Sequence, residues 1–149
     1  MGIKIIAKHK RASYDYFLLD KYEAGMVLQG TEAKSLRSGK VSIAESHITV
    51  DKNNEVWAHN IYIPSYEFGN INNHEERRKR KLLLHAKEIN KIKHRLSAES
   101  LTLVPTIIYF KKSYVKIEIA LARGKKQHDK RHDQAQKDIK RKLQRGDYN

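Results

Sequence analysis

Apolar residues recur with two periods along the chain, and the period changes several times. From Tyr14 to Leu28 the run YDYFLLDKYEAGMVL interleaves aromatic and branched residues with Asp15, Asp20 and Glu23, and Gly25 breaks it. This predicts one bent strand or two short ones. TEAKSLRSG, from Thr31 to Gly39, predicts a helix of barely two turns, capped by Thr31 and stopped by Gly39. VSIAESHITV, EVWAHNIYI and SYEF are further β-like runs, parted by Asp51, Asn53, Asn54 and Pro64, with a hairpin across Asn53 and Asn54. Residues 68–74, FGNINNH, have the composition of a loop. Beyond it, Leu82 to Leu84 predict a strand that runs into a helix on which Ala86, Ile89, Ile92 and Leu96 share a face. His85 with Glu88 three residues later forms a weak capping arrangement at its start. LTLVPTIIYFKKSYVKIEIALA closes the series as two β-like runs joined near Lys112 and Ser113, with Pro105 marking an edge or a bulge.

After Ala122 the pattern thins. His128, His132, Ala135, Ile139 and Leu143 fall on one helical stripe, but so few apolar groups cannot offset the ordering entropy alone. Residues 123–149 are therefore expected to form a basic tail, disordered when free and helical against a partner, behind a folded unit at 1–122. Many short strands and few helices predict a mainly β protein: a small closed antiparallel β-barrel of the oligonucleotide-binding type with a few short helices. An open sheet with helices on one face is the competing layout, and periodicity does not choose between them.

Charge sharpens the picture. The 149 residues carry 31 Lys plus Arg against 17 Asp plus Glu, a formal net charge of +14. That excess points to a polyanion, either nucleic acid or an acidic membrane surface. Residues 123–149 contribute +6 of it, and the opening 1–12, with Lys4, Lys8, Lys10 and Arg11 and no acid, reads as a short cationic arm. Arg77, Arg78, Lys79, Arg80 and Lys81 form an unbroken basic row. There is no cysteine, which excludes disulfides and thiolate chemistry and fits a reducing, cytoplasmic setting. The start lacks a secretory or membrane-spanning pattern, so no membrane partner is expected.

Catalytic patterns are absent. The seven glycines never form a phosphate loop. His128 and His132 with Asp129 and Asp133 lie among lysines that repel a cation, and Glu75 and Glu76 abut the basic row, where salt bridges or a helix start explain them. Trp57 and Tyr109 read as core aromatics. No cofactor, metal or catalytic residue is expected.

The same residues carry a resemblance. YEAG (Tyr22–Gly25), GTEAKSLRSGK (Gly30–Lys40), RKLLLH (Arg80–His85), TLVP (Thr102–Pro105) and GKKQHDKR (Gly124–Arg131), in this order, resemble the small protein B (SmpB) family, which partners transfer-messenger RNA in bacterial trans-translation. The resemblance implies a non-catalytic β-barrel that binds the tRNA-like part of that RNA and takes it to stalled ribosomes, as a monomer. Further partners it implies are the ribosome, at its decoding centre, messenger channel and ribosomal RNA, and the elongation factor that carries aminoacylated RNA. It places Glu23, Leu83 and Lys116 on the RNA surface, where a carboxylate accepts from a base or a 2′-hydroxyl, a leucine packs on an exposed base and a lysine meets phosphate. The basic residues Arg77, Arg78, Arg80 and Lys81 join that set. Lys125, Lys126, His128, Asp129, Lys130 and Arg131 match the family's ribosome-facing segment. The chain departs from the family pattern at His9, Ser100 and Ser113. Outside the resemblance, the rival functions are a small RNase and a basic protein that coats RNA or stays on the ribosome.

Overall fold

The structure, a computed structural model, describes residues 2–66 and 73–145. Of the loop expected over 68–74, residues 68–72 lie outside the described residues. Among the described residues seven strands and four helices follow in chain order: β1 (Ile3–Lys8), α1 (Ala12–Asp15), β2 (Tyr16–Met26), α2 (Gly30–Leu36), β3 (His47–Val50), β4 (Val56–His59), β5 (Arg80–Leu83), α3 (Ala86–Ala98), β6 (Thr102–Lys111), β7 (Tyr114–Gly124) and α4 (Gln127–Arg145). The architecture is mainly β, with one antiparallel sheet and several short helices. None of the described helices is long and apolar enough to cross a membrane.

The sheet runs β1-β6-β3-β4-β5-β2-β7, and β6 also pairs with β7. β6 accommodates three neighbours because it is long and irregular. Its segment 107–111 pairs with β1, Leu103 pairs with Ile48 of β3, and a register shift between Pro105 and Ile107 separates the two regions on its β7 side. Pro105, which has no N–H to donate, sits at that bulge as its chemistry requires. β2 is one bent strand, with a register shift between Leu18 and Lys21 where it pairs with β7. Asn54 (φ 61°) and Lys112 (φ 58°) take the left-handed conformation in the turns after β3 and β6, so both expected hairpins form.

Inward-facing residues of every strand, among them Ile48, Val56, Leu82, Leu103, Ile117 and Ile119, pack with Leu36 of α2 and Ile92 of α3 into one core. Three expectations need correction. The cationic arm is strand β1, in which Ile3 and Ile5 alternate with Lys4. Helix α2 is capped by Gln29 and not Thr31: a capping box joins Gln29 to Glu32, while the Thr31 hydroxyl bonds His74 at 2.9 Å. Trp57 lies outward and half-buried, with the Lys79 ammonium 4.4 Å from its ring centroid.

Candidate RNA-facing surface

Period-two alternation on β5 decides which members of the basic row face outward. Arg80 and Leu82 point into the core, and Lys81 and Leu83 point away from it. Leu83 is 55% exposed, an uncovered aliphatic side chain beside Gly25, its register partner on β2. A Cβ at Gly25 would stand 3.6 Å from Leu83 Cβ and 3.9 Å from Lys116 Nζ, so the glycine keeps the floor low between them. Glu23 and Lys116 arrive from the paired strands β2 and β7. With His85 and Glu88, these four residues line a groove of about 310 Å³.

The carboxylate of Glu23 is held from two sides. The Tyr109 hydroxyl donates to its Oε2, and Lys111 Nζ lies 3.5 Å from its Oε1. The Tyr109 hydrogen bond, aided by Lys111 and Lys116, holds the carboxyl below the usual glutamate range despite partial burial. Burial first, and then the same carboxylate, push the Tyr109 phenol well above its ordinary value. Glu23 is thus an ionised acceptor at neutral pH. Tyr109 is buried, as expected, but it follows the core residue Ile108 on β6, so its side chain lies on the opposite face, where its hydroxyl serves the groove. Lys111, two residues on, shares that face, and the β2–β7–β6 register brings it to Glu23.

The other basic residues do not form one patch. Arg80 is fully buried and is corrected from a surface cation to a structural one. Its Nε donates to Glu32 Oε2 at 2.6 Å, its Nη1 to the Ile61 carbonyl at 2.6 Å, and its Nη2 to the carbonyls of Glu75 and Glu76. Arg78 Nη2 donates to the other oxygen of Glu32 at 2.5 Å. Burial raises the Glu32 carboxyl, but hydrogen bonds from Arg78, the Gln29 N–H and Arg80 outweigh it and leave the group below its usual range. Arg77 is exposed, bonded to Asn60 just after β4 and 5.1 Å from the Tyr62 ring centroid. Lys81 pairs with Glu55 at 3.3 Å.

In the tail, Lys126, His128 and Arg131 are exposed, and His128 lies 3.3 Å from Asp129. The Asp129 carboxylate also accepts from the Lys126 N–H at 3.1 Å, capping α4. Lys125 and Lys130 instead turn toward α1. Ile139 and Leu143 are 55% and 54% exposed, so the outer half of the apolar stripe is bare.

The antiparallel sheet, the net charge of +14 and the exposed Leu83 between Glu23 and Lys116 describe a basic, mainly β protein. A family model described as SmpB protein matches residues 6–148, and the chain belongs to the SmpB protein family. SsrA-binding proteins of Lachnoclostridium phytofermentans and Bifidobacterium adolescentis are 53% and 51% identical over 144 residues, covering 97% of this chain and 93% and 91% of theirs. A solved structure described as "tmRNA-SmpB: a journey to the center of the bacterial ribosome" holds a chain similar at 45% identity and a TM-score of 0.67, over 80% of this chain and 84% of that one.

Proposed function

We propose that this chain is an RNA-binding factor of trans-translation: it binds the tRNA-like domain of transfer-messenger RNA, the SsrA RNA of its relatives' names, and delivers it to stalled ribosomes. The exposed Leu83 held between Glu23 and Lys116 is the observation that carries the reading, because burial on an unstacked base explains a leucine left in water. Lys116 then neutralises phosphate, and Glu23 accepts from a base amino group or a 2′-hydroxyl. Lys81, Arg77 and the exposed side of Arg78 add positive charge farther out, without Arg80.

The circuit of pairings through β6, β3, β4, β5, β2 and β7 supports a closed barrel of the oligonucleotide-binding type for residues 1–122. The tail, 123–149, carries Lys126, His128, Asp129 and Arg131 to the decoding centre and messenger channel. Its bare stripe and clustered lysines favour a distal half that is coil in the free protein and helical on ribosomal RNA. The factor acts in the cytoplasm as a non-catalytic monomer beside the elongation factor that carries aminoacylated RNA.

The test is anisotropy titration of the full chain into the labelled tRNA-like domain and into a plain hairpin of equal length at matched salt. Preference for the tRNA-like fold by tenfold or more, on the order of 1.4 kcal/mol, is expected. Equal affinity for both would identify a protein that coats RNA, and cleavage of either would identify an RNase.

A further inference from the structure

The root of α4 is fastened to the body by contacts that leave several of its lysines unavailable to RNA. The Tyr16–Gly124 register pair ends the β2–β7 ladder, so α1, which precedes β2, and the root of α4, which follows β7, emerge side by side. The Lys125 N–H donates to the Asp15 carbonyl at 2.9 Å. Its side chain is only 8% exposed: Nζ donates to the Ser13 carbonyl at 2.7 Å, pairs with Asp133 and lies 5.0 Å from the Phe17 ring centroid. One turn on, Lys130 Nζ is 3.3 Å from Asp15 Oδ1, which Arg11 also approaches at 3.6 Å. The Tyr14 ring receives Arg11 at 5.0 Å and Lys130 and Lys137 at 5.7 Å each. Four cations thus converge on two carboxylates, two aromatic faces and a carbonyl, an arrangement that offsets their mutual repulsion.

We propose that Tyr14 and Asp15 are positioning residues for the tail, holding the root of α4 so that its exposed face leaves the body in one direction. This rests on the reading that the tail engages the ribosome. The GKKQHDKR block then divides its work: Lys125 and Lys130 fasten the tail to the body, and Lys126, His128 and Arg131 face outward for the ribosome. A fixed root matters because α4 is a lever. Once α4 is helical throughout on the ribosome, its nineteen residues span roughly 28 Å, so a tilt of about 20° at the root moves the far end by roughly 10 Å. Holding the root also raises the effective concentration of the outer face at its target once the body is docked.

Because the chain has no cysteine, Ser97→Cys and Gln136→Cys place two spin labels, on α3 and on the fastened part of α4, without competing sites. Pulsed EPR on the free full chain should give a narrow distance distribution, kept by Tyr14→Phe, which retains the ring. Tyr14→Leu and Asp15→Lys should broaden it, and Asp15→Lys combined with Lys130→Asp should narrow it again. In the unlabelled chain, Tyr14→Leu should lower tagging on stalled ribosomes by about tenfold and leave affinity for the tRNA-like domain unchanged, with tagging restored in the Asp15–Lys130 charge swap. A narrow distribution in Tyr14→Leu, normal or raised tagging, failure of the swap to restore it, or a loss of RNA affinity would each overturn the proposal. The distance measurement contains no RNA, so it fails or succeeds independently of the RNA-binding reading.

Discussion

Removing the Lys116 ammonium should change how RNA binding responds to salt, and by an amount set in advance. Among the described residues Lys116 has no ion-pair partner; its Nζ stands over the Gly25 floor and 5.9 Å from the Tyr114 ring centroid. Its charge is therefore free to displace one counterion from phosphate, and Lys116→Ala should flatten the plot of log K against log salt by about 0.7 to 0.9. Between about 0.05 and 0.2 M salt, that slope difference amounts to a roughly threefold smaller loss of affinity for the variant. Glu23→Ala should also weaken binding, but with a slope no shallower than the parent's, because it removes an acceptor and releases Lys111 from its carboxylate. Anisotropy titrations of the labelled tRNA-like domain at four salt concentrations read both effects. Equal flattening by both variants, or none by Lys116→Ala, would refute the division of roles in the groove.

Other consequences follow from the same geometry. Leu83→Ala should cost about 1 kcal/mol of RNA affinity with no change in slope, since roughly half of an aliphatic side chain is left to bury on the RNA; isothermal titration checks it. Arg80→Ala removes one of the two guanidinium partners of the buried Glu32 and the donor to the Ile61, Glu75 and Glu76 carbonyls, and should destabilise the fold by about 3 kcal/mol, seen as a melting temperature lower by about 10 °C, whereas loss of RNA affinity in a fully stable variant would put Arg80 on the RNA surface after all. The folded-state pKa of Glu32 lies below its unfolded value, so its contribution is complete above about pH 4.3 and fades as pH falls through the lower folded value; urea midpoints from neutral to acid pH should show a gentler acid limb in Glu32→Gln. Replacing Ile139 and Leu143 by Pro keeps every charge and breaks the distal helix, and should abolish tagging without touching affinity for the tRNA-like domain.

Local signals in the sequence were enough for most elements. The Asn53–Asn54 and Lys112–Ser113 turns, the Pro105 bulge and the His85–Glu88 capping box all rest on residues within a few positions of one another. What escaped depends on partners far along the chain. Arg77 to Lys81 looked like one cationic patch, and only the alternation of β5 together with Glu32, 48 residues before Arg80, turns one of its members inward. Ile3, Lys4 and Ile5 already alternate as a strand does, but the surrounding lysines outweighed that short signal. In the groove, Glu23, Leu83 and Lys116 are legible only through the family resemblance, and the structure brings the three together; Tyr109 and Lys111 complete it through strand register that no local pattern encodes. Lys125 and Lys130 read as two more tail cations because nothing near them in sequence announces Ser13, Tyr14 and Asp15 as their neighbours.

The Glu23–Leu83–Lys116 face is proposed to recognise one folded RNA. The test is to recover the RNA cross-linked to the full chain in cells and to sequence it beside that bound to Leu83→Ala. A single small tRNA-like RNA should dominate with the parent chain and be depleted with the variant. A broad mixture of transcripts, the same for both proteins, would contradict it.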